Sequence, residues 1–160
     1  MEQQEDKMMQ DARPVTIPIV SFFRFEDLRV YGKASDYGTW VTTKIQEPRN
    51  AAEKTLVDSF CHSAYDISLN IAEGSSRSKS QFDHYLKIAK TAIRECVVYT
   101  EIAHNLGLFD GECYTQSREY LMELTRMLGA LIISLQRSAE RHMQREEEPT
   151  DPYANDDMSY

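Results

Sequence analysis

The residues best suited to chemistry fall into three groups. Glu101 and His104 form one Glu-x-x-His unit, the spacing at which a helix aims a carboxylate and an imidazole at one metal ion. A di-metal carboxylate bundle needs that unit on two helices, with a further Glu from each of two others. The sequence holds no second copy, and His62, His84 and His142 form no motif with any cysteine. Surface or interface histidines are the expectation, with no metal and no cofactor. Cys61, Cys96 and Cys113 are odd in number and lack the CxxC spacing of zinc or redox sites. No nucleophile elbow, phosphate loop or dinucleotide-binding glycine pattern occurs. The reading is therefore a protein with no catalytic residue and no small-molecule substrate.

The second group is basic: Arg77, Lys79, Lys87, Lys90 and Arg94. At helical spacing Lys87, Lys90 and Arg94 share one face, with Tyr85 and His84 nearby, and such a face can meet phosphates in a salt-sensitive way. Asp83 stands four residues before Lys87 and partly neutralises it, so a solvated helix surface with an i,i+4 pair is the plainer alternative. The third group is Asn70-Ile71-Ala72-Glu73-Gly74. Glu73 sits at an expected helix C-terminus, where the dipole disfavours a negative charge. It should have a partner, either Arg77 or the free N–H groups opening the next helix. Asn70, Glu73 and Gly74 are read as a structural corner.

The elements that must position these groups are helical. The chain has 160 residues, which fits one domain, and only 6 Gly and 5 Pro, which argues against a turn-rich β fold. The net charge is -8, of which residues 1–20 and 137–160 together supply -6. The middle is nearly neutral, so a local basic patch is compatible with the overall acidity. Residues 1–14 have no apolar core of a signal peptide, and no run of about 18 apolar residues exists. A cytoplasmic protein with reduced thiols and no membrane contact is expected. The expected organisation is a mobile N-terminal arm over 1–21, a four-helix bundle over 22–145 and a disordered acidic tail over 146–160.

Four helical patterns lie in the bundle. The first covers about 25–46, with Leu28, Tyr31, Ala34, Tyr37, Val41 and Ile45 inward, and Pro48 beyond it. The second covers about 51–73, opened by Asn50 and Glu53 at capping-box spacing and closed by Gly74 taking positive φ. The third follows Ser78 and carries Phe82, Tyr85, Ala89, Ala92, Cys96, Tyr99, Ala103 and Leu106 at steps of 3 and 4, ending at Gly107. The fourth runs from Asp110 to about 144 with Tyr114, Leu121, Leu124, Leu128, Leu131 and Leu135 as its seam. Short connections make neighbours antiparallel, giving an all-α, up-down-up-down antiparallel four-helix bundle.

Met127 to Leu135 holds nine residues without a charge. A bundle helix normally carries an apolar stripe about 100° wide. Met127, Ala130, Ile132 and Ile133 extend beyond that stripe, and Ile88, Ile93, Val97 and Val98 do so on the third helix. Such a surface needs cover. Self-association through Met127, Ala130, Ile132, Ile133, Val97 and Val98 is expected; the alternative is cover by the N-terminal Val15–Val20 segment of the same chain.

Three stretches then become informative together: Phe25-Glu26-Asp27-Leu28-Arg29-Val30, Asn70 to Ser78, and Phe82 to Leu86 followed by Ile88-Ala89. With Leu106-Gly107-Leu108 they resemble the four-helix-bundle family of proteins encoded in 23S rRNA intervening sequences, to which the accessory proteins of diversity-generating retroelements are related. The resemblance covers about residues 22–138. It implies a non-catalytic bundle whose subunits assemble as a ring, a homopentamer, with RNA or DNA and a reverse transcriptase as the partners of the retroelement relatives. Family members carry Gln-Leu-Arg-Arg in the second helix; Ser59-Phe60-Cys61-His62 stands there in this chain. A purely protein-binding oligomer that never touches nucleic acid is the competing expectation, and a di-metal enzyme the third.

Overall fold

The computed structural model describes residues 22–147. A single 3-10 turn, Arg24–Asp27, precedes four helices: α1 (Arg29–Lys44), α2 (Ala51–Ser75), α3 (Lys79–Asn105) and α4 (Gly111–Glu147). Each helix packs on its two neighbours, α1 on α2, α2 on α3, α3 on α4 and α4 back on α1. Cross-helix pairs give the directions. Thr42 meets Tyr65, Ser63 meets Glu95, Lys79 meets Ser138 while Glu101 meets Tyr114, and Lys33 meets Glu123. Every adjacent pair is antiparallel, as expected. The N-terminal arm (1–21), its Val15–Val20 segment and the acidic tail beyond Glu147 lie outside the described residues.

Helix starts follow local hydrogen bonding. Asn50 Oδ1 accepts the Glu53 N–H at 2.9 Å and Ser78 Oγ accepts the Gln81 N–H at 3.4 Å. Asp110 Oδ1 accepts the Cys113 N–H at 2.7 Å, and that bond holds the Asp110 carboxyl below its ordinary value. The Asn50 box closes differently from expectation. Glu53 does not return to the Asn50 N–H. Its Oε2 takes the Arg49 N–H at 2.8 Å, and Arg49 Nη2 reaches Oε1 at 2.8 Å. The same Nη2 also donates to the Leu106 carbonyl at 2.7 Å, which ties the start of α2 to the end of α3.

Three sequence expectations are corrected. The first helix does not begin at residue 25: Leu28 is extended (φ -80°, ψ 112°) and separates the 3-10 turn from α1. Phe25 there packs on Tyr31 with ring centroids 4.8 Å apart. Gly74 does not take positive φ; among the described glycines only Gly107 does, at +73°. α2 continues through Ser75, and Gly74 is needed for close packing. A Cβ at that position would stand 2.6 Å from Tyr85 Cβ and 2.8 Å from Phe82 Cδ2. Finally, the third helix buries Ala89, Ala92, Cys96 and Ala103 of the expected row, and adds Leu86, Ile93 and Thr100. Phe82, Tyr85 and Tyr99 are half-buried and Leu106 is exposed. The large members of the row lie toward α2, where Tyr99 stacks on Phe60; burial widens toward α4 because α3 packs on both. Ile93 is thereby a core residue.

The core contains a directed chain of hydroxyls. Thr100 Oγ1 donates its one proton to the Cys96 carbonyl at 2.7 Å. Ser117 Oγ, 2.7 Å away, therefore donates to Thr100, and Tyr37 Oη at 2.9 Å donates to Ser117. The chain links α1, α4 and α3 with all three residues buried. Burial pushes both the Tyr37 hydroxyl and the Cys96 thiol above their ordinary pKa values, so both are neutral and inert.

Two outcomes follow. Gly74→Ala gains about 1 kcal/mol of helix propensity but forces apart two helices, because Tyr85 Cβ is fixed to the α3 backbone. We expect a net loss of about 1–2 kcal/mol in denaturant unfolding; unchanged or raised stability contradicts the close approach. The Arg49 guanidinium holds the Glu53 carboxyl below its ordinary value. The clamp therefore contributes fully above about pH 4.3 and loses its contribution as pH falls through the lower folded value. Glu53→Gln should melt lower than wild type at pH 7, with the gap narrowing below about pH 4; a gap constant from pH 7 to 3 contradicts the ion pair.

Candidate nucleic-acid interface

The five basic residues expected to act together meet different fates. Arg77 is ion-paired with Glu73 within one turn, Nε lying 2.9 Å from Oε1. Arg77 is thus the partner that Glu73 required, and the pair is half-exposed. Lys87 is ion-paired with Asp83, whose other oxygen accepts from Gln136 Nε2 at 3.2 Å. Lys79 Nζ donates to Ser138 Oγ at 2.7 Å and forms no ion pair among the described residues. Lys90 and Arg94 form no ion pair among the described residues.

The structure adds two cations that the linear pattern did not single out. Val97, Arg118, Leu121, Met122, Thr125 and Arg126 line a groove between α3 and α4. Its floor is apolar and Arg118 and Arg126 stand at its α4 edge. The Arg118 guanidinium lies over the Tyr114 ring, 5.7 Å from its centroid, which orients it without neutralising it. Arg126 has no ion pair among the described residues. Thr125 gives its proton to the Leu121 carbonyl at 2.7 Å and presents only acceptor capacity. Arg94 precedes Val97 by one turn and Lys90 precedes Arg94 by another. The antiparallel pairs Lys79–Ser138 and Glu101–Tyr114 bracket this stretch and set Lys90 across from about residue 126 of α4. Lys90, Arg94, Arg118 and Arg126 thus form one cationic track along the α3–α4 seam. Arg118 and Arg126 escaped sequence reasoning because they stand alone on α4; only the register of α4 against α3 joins them to Lys90 and Arg94.

The expected apolar contact residues separate in the same way. Ile132 is 8% exposed and belongs to the core of its own chain, not to a subunit contact. Val97 and Met127 are half-buried against that core. Ala130 is exposed, as are Val98 at 56% and Ile133 at 49%. Met122, half-exposed, joins them. In the groove, Val97, Leu121 and Met122 thus stand beside Arg118 and Arg126.

The remaining candidates have local roles. Tyr114 Oη donates to Glu101 Oε2 at 3.0 Å, and His104 Nδ1 lies 3.2 Å from the Phe109 carbonyl with its ring on Tyr114. The Glu-x-x-His unit thus pins the α3–α4 corner. Among the described residues no group of three His, Cys, Asp or Glu side chains is arranged to hold a metal ion. Asn70 Nδ2 donates back to the Asp66 carbonyl at 2.7 Å within α2, and does not cross the corner. The three cysteines are free thiols. Among the described residues no helix is long and apolar enough to cross a membrane.

Two comparisons bear on this geometry. No curated protein matches the sequence. The family model described as 23S rRNA-intervening sequence protein matches residues 26–130, a span that contains α1 to α3, the first half of α4 and every residue of the cationic track. On that match the chain belongs to the family of 23S rRNA-intervening sequence proteins.

Proposed function

We propose that this protein is a non-enzymatic, self-associating helical scaffold that holds nucleic-acid phosphates along the α3–α4 groove. One observation carries the reading. In a chain of net charge -8, Lys90, Arg94, Arg118 and Arg126 gather on one face without carboxylate partners among the described residues. Evenly mixed surfaces neutralise such groups locally, as Lys33, Lys54, Arg77 and Lys87 are neutralised elsewhere in this bundle. The apolar floor beside them suits unstacked bases, and single-stranded RNA is the partner of choice. Repetition of the face in a ring of identical subunits, a homopentamer by family resemblance, would multiply the charge. A reverse transcriptase is the protein partner that the same resemblance offers. The scaffold is placed in the cytoplasm, with no membrane contact and no small-molecule substrate.

A purely protein-binding oligomer is the second reading. It is favoured by Val98, Met122, Ala130 and Ile133, which expose apolar surface on α3 and α4. One pair of measurements separates the two. Four phosphate contacts give a log–log salt slope of about -3 on single-stranded RNA, a loss of about 50-fold between 50 and 200 mM salt. Arg118→Glu/Arg126→Glu should weaken binding more than tenfold at 50 mM and lower the slope by about half. Light scattering should give a multimer of fixed size. A multimer without salt-sensitive RNA binding supports the second reading, and a monomer at micromolar concentration overturns self-association in both.

A further inference from the structure

The cationic track has a source of anions within its own chain. Residues 146–160, Glu-Glu-Glu-Pro-Thr-Asp-Pro-Tyr-Ala-Asn-Asp-Asp-Met-Ser-Tyr, carry six carboxylates and no Lys or Arg. α4 is described to Glu147, and thirteen residues follow it outside the described part. An extended chain of that length spans at most about 45 Å. Measured back along α4 at 1.5 Å per residue, Arg126 lies about 32 Å from Glu147 and Arg118 about 44 Å. Asp156 and Asp157 are nine and ten residues beyond Glu147, a reach of about 31–34 Å, which matches Arg126 and the Lys90–Arg94 stretch facing it. Asp151, four residues beyond, reaches about 13 Å, the distance back to Ser138 and the Lys79 amine bonded to it. Tyr153, Met158 and Tyr160 supply apolar side chains for a floor made by Val97, Leu121 and Met122.

We propose that residues 148–160 fold back from the end of α4 and dock along the α3–α4 groove of their own chain, as an internal polyanion competing for the track. The observation behind it is the pairing of an uncompensated cationic groove with a carboxylate-rich segment long enough to reach it. The competitive consequence rests on the phosphate-binding reading above; the docking itself does not. At an effective concentration of about 1 mM, a contact with an affinity of about 0.1 mM lowers RNA affinity about tenfold.

The test uses the full chain. A zero-length carbodiimide reagent joins carboxylates to lysine amines. At 50 mM salt it should link Lys90 or Lys79 to Glu148, Asp151, Asp156 or Asp157, and the link should vanish at 0.5 M salt. In a mixture of light and heavy isotope-labelled protein the linked peptides should be unmixed. Glu148→Gln/Asp151→Asn/Asp156→Asn/Asp157→Asn alters no residue of the bundle, and should raise affinity for single-stranded RNA about tenfold at 50 mM salt. Absence of tail links overturns the docking. Mixed-isotope links also overturn it, because the occupant then belongs to a second copy. Equal RNA affinity of the variant and wild type, with unmixed links present, overturns the competition. If neither protein binds RNA while unmixed links form, the docking stands and the phosphate-binding reading is what fails.

Discussion

The surface of this protein depends on a hydrogen-bonded line of three hydroxyls that no solvent reaches. Tyr37, Ser117 and Thr100 come from α1, α4 and α3, and the line ends on the Cys96 carbonyl. Apolar seams alone define register loosely, since leucines at steps of 3 and 4 pack nearly as well one turn along. A buried hydroxyl is less tolerant. Each bond contributes about 0.5–1.5 kcal/mol net, but a group left without its partner costs about 1–3 kcal/mol. Sliding α4 by one turn would break both bonds of Ser117, taking from Tyr37 its acceptor and leaving Thr100 only its bond to the Cys96 carbonyl. No buried side-chain nitrogen or oxygen is left without a partner among the described residues, so the line is fully satisfied.

That register has consequences on the outside. With Ser117 opposite Thr100, Leu121 and Arg118 fall beside Val97, and Arg126 falls across from Lys90. The two helices contribute two cations each to one seam. The same register puts Lys33 of α1 on Glu123, and Lys33 also lies 4.7 Å from the Tyr120 ring centroid. α4 thus carries neutralised charge on its α1 flank and uncompensated positive charge on its α3 flank. An acidic protein can in this way keep a cationic groove, because the excess of carboxylates resides largely in the terminal segments.

Much of the fold was legible in the residues. Asn50, Ser78 and Asp110 mark helix starts because each side chain can accept an N–H that the helix leaves free, and all three do so. Gly107 marks an end because it alone among the described residues takes positive φ. Legibility failed where the deciding partner is distant in sequence. Gly74 reads as a helix terminator, yet its reason is Tyr85 on another helix. The α3 heptad names Ala89, Ala92, Cys96 and Ala103 correctly but misses Leu86, Ile93 and Thr100, because α3 packs on two helices and buries a wider face. Ile132 reads as surplus apolar surface, and becomes core once α4 is set against its neighbours. The basic cluster was half legible: Lys90 and Arg94 persist, Arg77 and Lys87 are neutralised by carboxylates of their own helices, and Arg118 and Arg126 required the bundle to bring them in.

Nucleic-acid binding, as proposed, depends on Lys90, Arg94, Arg118 and Arg126, which form no ion pair among the described residues, meeting one ligand along the α3–α4 seam. Arginine Nε–Hε resonances report this directly. In a titration with a short single-stranded RNA at low salt, the account predicts that the Arg94, Arg118 and Arg126 signals shift together and saturate at one concentration, while those of Arg49 and Arg77, held by Glu53 and Glu73, stay in place. Unmoved Arg118 and Arg126 signals, or shifts spread evenly over all arginines, would contradict it.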